Sequence, residues 1–153
     1  MNRTITRTET SRTLITLCVL WVFSWLAILP FPIKPNVYLV GIVFLAFVVS
    51  DVSIFLLAML AILFWLKYTP VPSYELVVLG IIGVVYAFVR RAIIREPHPA
   101  AMAVGVVIGQ LVFWMIFAQE SVWSLLFAVE LFYNLLVLLI LYGIWGWVKK
   151  KFN

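Results

Sequence analysis

Three amide or carboxyl side chains lie inside the last two apolar runs of the chain: Gln110, Glu130 and Asn134. Glu130 is the one that ionises. A carboxylate facing hydrocarbon is costly, so it is expected to turn toward protein or water. Asn134 follows it by one helical turn, on the same face. Gln110 lies in the preceding apolar run. The three are expected to meet as an interhelical polar cluster, with Glu130 bonded to Gln110 or Asn134. Such a cluster can be a ligand or proton site, a contact with a partner subunit, or glue between helices. Glue contacts average about 0.6 kcal/mol each.

The other reactive residue types are sparse. His98 stands between Pro97 and Pro99. It could sense pH or touch a ligand, but with no nearby Asp or Cys it reads as a solvated loop histidine. Cys18 is the sole cysteine, which excludes an intrachain disulfide and a cysteine-rich zinc site; it reads as a small apolar residue. One His and one Cys give no metal site. Asp51, after Ser50, has the residue type and place of a helix cap, with a contact to Arg90 or Arg91 as its alternative. The sequence contains no HExxH, GxSxG, Walker loop or Cys-x-x-Cys. The expectation is a protein that is not an enzyme and needs no cofactor.

The elements that hold these residues follow from composition. Hydrophobic residues make up 66% of the 153 and charged residues 11%, against about 25% charged in a soluble domain. The mean hydropathy is +1.18. So few polar groups cannot cover a soluble fold of this size, so lipid must be the solvent for most of the surface. The same numbers exclude disorder. The net charge of +5 lies mostly beside apolar runs, where it sets membrane orientation rather than binding nucleic acid.

A membrane span needs about 20 apolar residues. The stretch from Pro35 to Leu66 has one polar break, Ser50-Asp51. As one helix it would be about 48 Å long, well over a hydrocarbon core of about 30 Å. Charge decides for two helices. With six spans and an inner N-terminus, nine basic residues (Arg3, Arg7, Arg12, Arg90, Arg91, Arg95, Lys149, Lys150 and Lys151) fall inside, against Lys34 and Lys67 outside. With five spans the balance reverses. The expected organisation is a single all-α transmembrane domain: a cytoplasmic lead-in over 1–12, spans at about 13–31, 35–50, 52–67, 75–90, 100–118 and 122–148, short loops, and both termini cytoplasmic. The first run is not a cleaved signal peptide, since Pro30-Phe31-Pro32 is a poor cleavage site. Gly80 and Gly83 in the fourth span, and Gly105-xxx-Gly109 in the fifth, let backbones approach closely. They serve either packing within the chain or a partner face.

Several of these residues together resemble the MreD family, small multi-pass subunits of the bacterial cell-elongation machinery. The first span ends in Leu29-Pro30-Phe31-Pro32. Lys34-Pro35-Asn36 precedes an apolar helix starting Val37-Tyr38-Leu39-Val40-Gly41, as Pro-Asn or Pro-Asp does in the family. Leu79-Gly80-Ile81-Ile82-Gly83 is similar to the family's small-residue-rich helix, and Phe132-Tyr133-Asn134 to its final, basic-ended helix. The likeness covers nearly the whole chain on loose motifs. The family's Asp near the end of the third span is missing; Ala61-Ile62-Leu63-Phe64-Trp65-Leu66 stands there. The resemblance implies a non-enzymatic scaffold in the cell inner membrane. Its partners would be an MreC-like single-span protein and, through it, the RodA glycosyltransferase and its transpeptidase, in peptidoglycan synthesis and cell shape. It also implies a bundle like the substrate-binding S components of energy-coupling-factor vitamin transporters. Such an S component is therefore the alternative function, with a small proton-coupled carrier using Glu130 as a third. Short outer loops count against the vitamin-binding alternative.

Overall fold

The computed structural model describes residues 3–25, 36–65, 74–93, 98–117 and 125–152. All the secondary structure among them is helical: α1 (Arg3–Trp25), α2 (Val37–Val48), α3 (Val52–Trp65), α4 (Tyr74–Ile93), α5 (Pro99–Phe117) and α6 (Leu125–Phe152). The lead-in expected over 1–12 is continuous with the first apolar run, because α1 begins at Arg3. The proline-rich turns at 30–32 and 70–72, Lys34, Lys67 and the turn at 119–121 lie outside the described residues.

The bundle is organised around its shortest helix. α2 packs against each of the other five, and these close a ring around it in the order α1, α3, α4, α5, α6 and back to α1. Every residue of α2 from Val37 to Phe47 except Tyr38 is buried. A helix apolar on all sides needs such a place. The ring approaches closely because small residues face inward. A Cβ on Gly83 would stand 2.6 Å from Ile42, on Gly109 3.0 Å from Leu39, and on Gly105 3.1 Å from Val43, all three on α2. Gly41 of α2 receives Leu20 of α1 in the same way, at 2.8 Å.

The Ser50-Asp51 break separates two helices. Val49 is extended (φ −86°, ψ 119°) and ends α2. Asp51 then starts α3, its carboxylate accepting from the N–H groups of Ser53 at 2.8 Å and Ile54 at 3.2 Å. This is the capping role expected for an Asp just before a helix. His98 does the same for α5. Its Nδ1 accepts from Ala100 N–H at 3.3 Å and its carbonyl from Met102 N–H at 3.2 Å, while Pro99 takes the first helical position, where its missing N–H costs nothing. The side chain is exposed but is also a cap, which the reading of a merely solvated loop histidine missed.

Two of the described helices are long and apolar enough to cross a membrane, α5 over Pro99–Phe117 and α6 over Leu125–Lys150. The apolar parts of α1, α2 and α3 are shorter: Thr13–Val22, Val37–Val48 and Val52–Leu63.

Candidate functional site

Three of the buried polar residues, Gln110, Asn134 and Arg90, fall at the two ends of α2, and the need of a buried helix end explains them. A helix leaves its first N–H groups and last carbonyls without internal partners. When both ends are enclosed by other helices, side chains must supply the partners.

At the N-terminal end, Asn36 caps α2 from within: its Oδ1 accepts from Leu39 N–H at 3.1 Å. Its own N–H donates to Asn134 Oδ1 of α6 at 2.7 Å. Asn134 in turn donates through Nδ2 to Gln110 Oε1 of α5 at 2.9 Å, and Gln110 Nε2 reaches the carbonyl of Phe127 at 3.5 Å. Asn134 and Gln110 are both fully buried. A chain of polar groups thus ties α2, α6 and α5 together, with the side-chain amides of Asn134 and Gln110 each using the carbonyl as acceptor and the NH₂ as donor.

Glu130 is not part of that chain. It had been expected to bond to Gln110 or Asn134, and it bonds instead to Trp114, whose Nε1–H donates to Glu130 Oε2 at 2.7 Å. The reason is register. α5 and α6 run antiparallel, so Gln110 faces Asn134, and one turn further along α5 Trp114 faces Glu130, one turn back on α6. The amide pair already satisfies itself and Asn36, while a donor-only indole can serve the carboxylate. Phe127 packs edge-on against Trp114 with ring centroids 5.4 Å apart, covering one side of this second rung. Glu130 itself is half-buried.

At the C-terminal end of α2 the partner is a cation. Arg90 of α4, only 9% exposed, donates from Nη1 to the carbonyls of Val49 at 2.6 Å and Ala46 at 3.3 Å. These are carbonyls the ending helix leaves open, and a positive charge there also complements the helix dipole. Read from the sequence as a topological charge or as a contact for Asp51, Arg90 has this capping role as well.

The glycines singled out from the sequence lie between this chain's own helices. Gly83 faces Ile42 of α2 and Met59 and Phe55 of α3. Gly105 and Gly109 face α2, with Tyr86 and Ile82 of α4 beside them. Among the described residues Gly80 meets only Leu63, at 3.7 Å. Tyr86 adds a bond from its hydroxyl to the Gly105 carbonyl at 2.6 Å, across the α4–α5 contact that Gly105 opens. Cys18 is exposed on α1. Among the described residues no group of three or more His, Cys, Asp or Glu side chains is placed to hold a metal ion.

Comparison with protein-family models, with curated proteins and with solved structures found no match.

Proposed function

We propose that this chain is a non-enzymatic integral membrane scaffold of the MreD type, with its six helices crossing the bilayer and both termini cytoplasmic. It would hold an MreC-like single-span partner within the cell-elongation machinery. The observation that carries this reading is the filled centre. α2 occupies the axis of the bundle, buried along almost its whole length and closed at both ends by Asn36 with Asn134 and by Arg90. A carrier needs a hydrated path and a vitamin-binding subunit needs a cavity; a core built on a capped apolar helix favours neither.

The membrane location is supported by what faces outward. Only 28% of the apolar stretch of α5 and 22% of that of α6 is buried within the chain, whereas the core helix of a soluble protein is mostly buried. Large apolar side chains are exposed on every helix of the ring, among them Val22, Leu57, Phe88, Met115 and Leu139. Exposed apolar side chains on every helix of the ring suit a lipid annulus better than the single limited patch of a soluble monomer. At the basic end of α6, Lys149 lies over the Trp145 ring at 5.3 Å and Trp147 is 62% exposed, a pairing suited to the headgroup level.

The test is isolation of the tagged chain from its own cells in mild detergent, together with its depletion. Co-isolation of a single-span partner and loss of normal cell shape on depletion are expected. A chain that instead retains a small molecule, or docks an ATPase module, overturns the scaffold reading.

A further inference from the structure

We infer that the C-terminal end of α6 binds an anionic phospholipid, whose phosphate is held by Lys149, Lys150 and the indole N–H of Trp145 and whose acyl chain lies along the outward stripe of α6. The inference rests on the membrane placement proposed above, with this end of α6 cytoplasmic, and is independent of the MreC-like partner.

Helix direction places the site. Gly83 of α4 faces Ile42 of α2 and Arg90 reaches Val49, so α4 runs with α2. Gly109 faces Leu39 and Gly105 faces Val43, so α5 runs against it. α6 pairs antiparallel with α5, through Gln110 with Asn134 and Trp114 with Glu130. α6 therefore ends on the side where Arg90 closes α2. In the proposed topology this side carries nine basic residues against three acidic ones, Glu9, Asp51 and Glu96, a balance that attracts an anionic leaflet.

The last turns of α6 give that attraction a local form. Lys149 and Lys150 are both exposed, and the Lys149 ammonium lies over the Trp145 ring at 5.3 Å. Trp145 is partly buried, and its Nε1 is enclosed without an acceptor among the described residues. An indole N–H inside protein normally has a partner. Orientation in the membrane explains the lysines; it does not explain this unmatched donor. About one helical turn thus collects two ammonium groups and an indole N–H, all donors, and their complement is an anion with several oxygens. A turn of the partly buried indole about its side-chain torsions brings the N–H to the surface that Lys149 occupies. The acyl chain has a place as well. Leu136, Ile140, Gly143 and Trp147 follow one another at helical spacing up to Lys150, and all are exposed. A Cβ on Gly143 would meet nothing within 4 Å among the described residues, so the stripe has a notch just below the headgroup level. A free anion uses the donors but not the stripe. A phospholipid uses both, and this commits the site to the lipid.

The test titrates phosphatidylglycerol and phosphatidylcholine with the same acyl chains onto the purified full-length chain in mild detergent. Bound lipid is read by native mass spectrometry, and thermal unfolding of every variant is the folding control. Phosphatidylglycerol should bind roughly tenfold or more tightly than phosphatidylcholine. K149Q and K150Q should each weaken its binding about fivefold, the effect of one basic residue at an anionic surface, while the K149R, K150R double variant should keep it. W145F retains an aromatic ring for Lys149 but removes the N–H, and should weaken binding about twofold to tenfold, the effect of one hydrogen bond. Glycerol phosphate at the concentration of the lipid should not displace it. Equal binding of the two lipids, an affinity unchanged in the lysine variants or in W145F, or displacement by glycerol phosphate would each overturn the inference while leaving the membrane reading in place. A chain that stays folded and monodisperse once detergent is removed would overturn the membrane reading and this site with it.

Discussion

Arg90 of α4 donates to the carbonyl of Val49, 41 residues earlier in the chain and 2.6 Å away, and so closes the end of the helix at the centre of the bundle. Together with Asn134 at the other end, it lets a helix of only 12 residues be enclosed by five others without stranding its terminal groups. Each stranded group would cost about 1–3 kcal/mol. The polar residues of this protein are therefore best understood through the backbone they satisfy.

The first prediction concerns that clamp. Arg90→Ala removes a charged donor from two carbonyls and should lower stability by about 1.5–3 kcal/mol, the range for hydrogen bonds to charged groups. Arg90→Lys keeps the charge at the helix C-terminus and should recover part of the loss. Unfolding of the detergent-solubilised protein measures both. An Arg90→Ala protein as stable as the parent would show that the clamp contributes nothing.

The amide chain gives a second. Gln110→Leu strands Asn134 Nδ2, and Asn134→Leu strands both Gln110 Oε1 and the N–H of Asn36. Asn134→Leu should therefore be the worse of the two. The double variant should be less damaging than the sum of the singles, by a coupling of about 0.6–1.7 kcal/mol. Strict additivity in the double-mutant cycle would mean that the two side chains do not support each other.

The helices themselves were readable from runs of apolar residues and their breaks, with the distribution of basic residues deciding that Ser50-Asp51 divides two of them. Ser50-Asp51 separated α2 from α3 because a short polar side chain there captures the next helix's N–H groups. The arrangement was less readable. Nearly every helix is apolar all round, so periodicity does not say which one is central; that depends on length and on the glycines of the ring. The partner of Glu130 was missed for a related reason. Spacing along α6 put Glu130 and Asn134 on one face, but the register between α5 and α6, which assigns Trp114 to one and Gln110 to the other, is a property of the packed pair. The capping duty of Arg90 was hidden because a basic residue at a span end already has an explanation in topology.

The glycines separate tight from loose contacts in a third prediction. A methyl at Gly83 meets Ile42 at 2.6 Å and Met59 at 2.9 Å. Met59 can move aside, but Ile42 is β-branched and enclosed, so Gly83→Ala should cost about 1–3 kcal/mol through overpacking. Gly80→Ala, with one described neighbour at 3.7 Å, should be close to neutral. Gly146→Ala meets nothing within 4 Å among the described residues and should stabilise by about 0.5–1 kcal/mol, since alanine loses less backbone entropy in a helix. Equal effects at the three positions would contradict the ring packing.

Topology provides a fourth. On a Cys18→Ser background, cysteines at Ser50 and Ser73 should label from opposite sides of the membrane, Ser50 from the cytoplasm and Ser73 from outside. This follows from the nine-to-two distribution of basic residues. Labelling of Ser50 from outside would require a different number of spans.

The last prediction concerns the bond between Trp114 and Glu130. The indole N–H needs an acceptor at this position, and 2.7 Å is short enough for a strong bond to a carboxylate. Glu130→Gln retains a carbonyl oxygen for that N–H, so the isolated chain should stay folded within about 1 kcal/mol of the parent, the size of an ordinary hydrogen bond. Glu130→Leu leaves the Trp114 N–H without its partner, in a residue that is itself 9% exposed, and should cost more. Trp114→Phe removes the donor and part of the ring packing against Phe127, leaving the carboxylate unsupported. If the bond is what matters, the Trp114→Phe, Glu130→Leu double variant should recover stability relative to the sum of the single losses, because neither polar group then remains stranded. Thermal unfolding in a fixed detergent measures all four variants. A Glu130→Gln chain that unfolds as readily as Glu130→Leu would mean that the negative charge, and not the acceptor, holds this rung together.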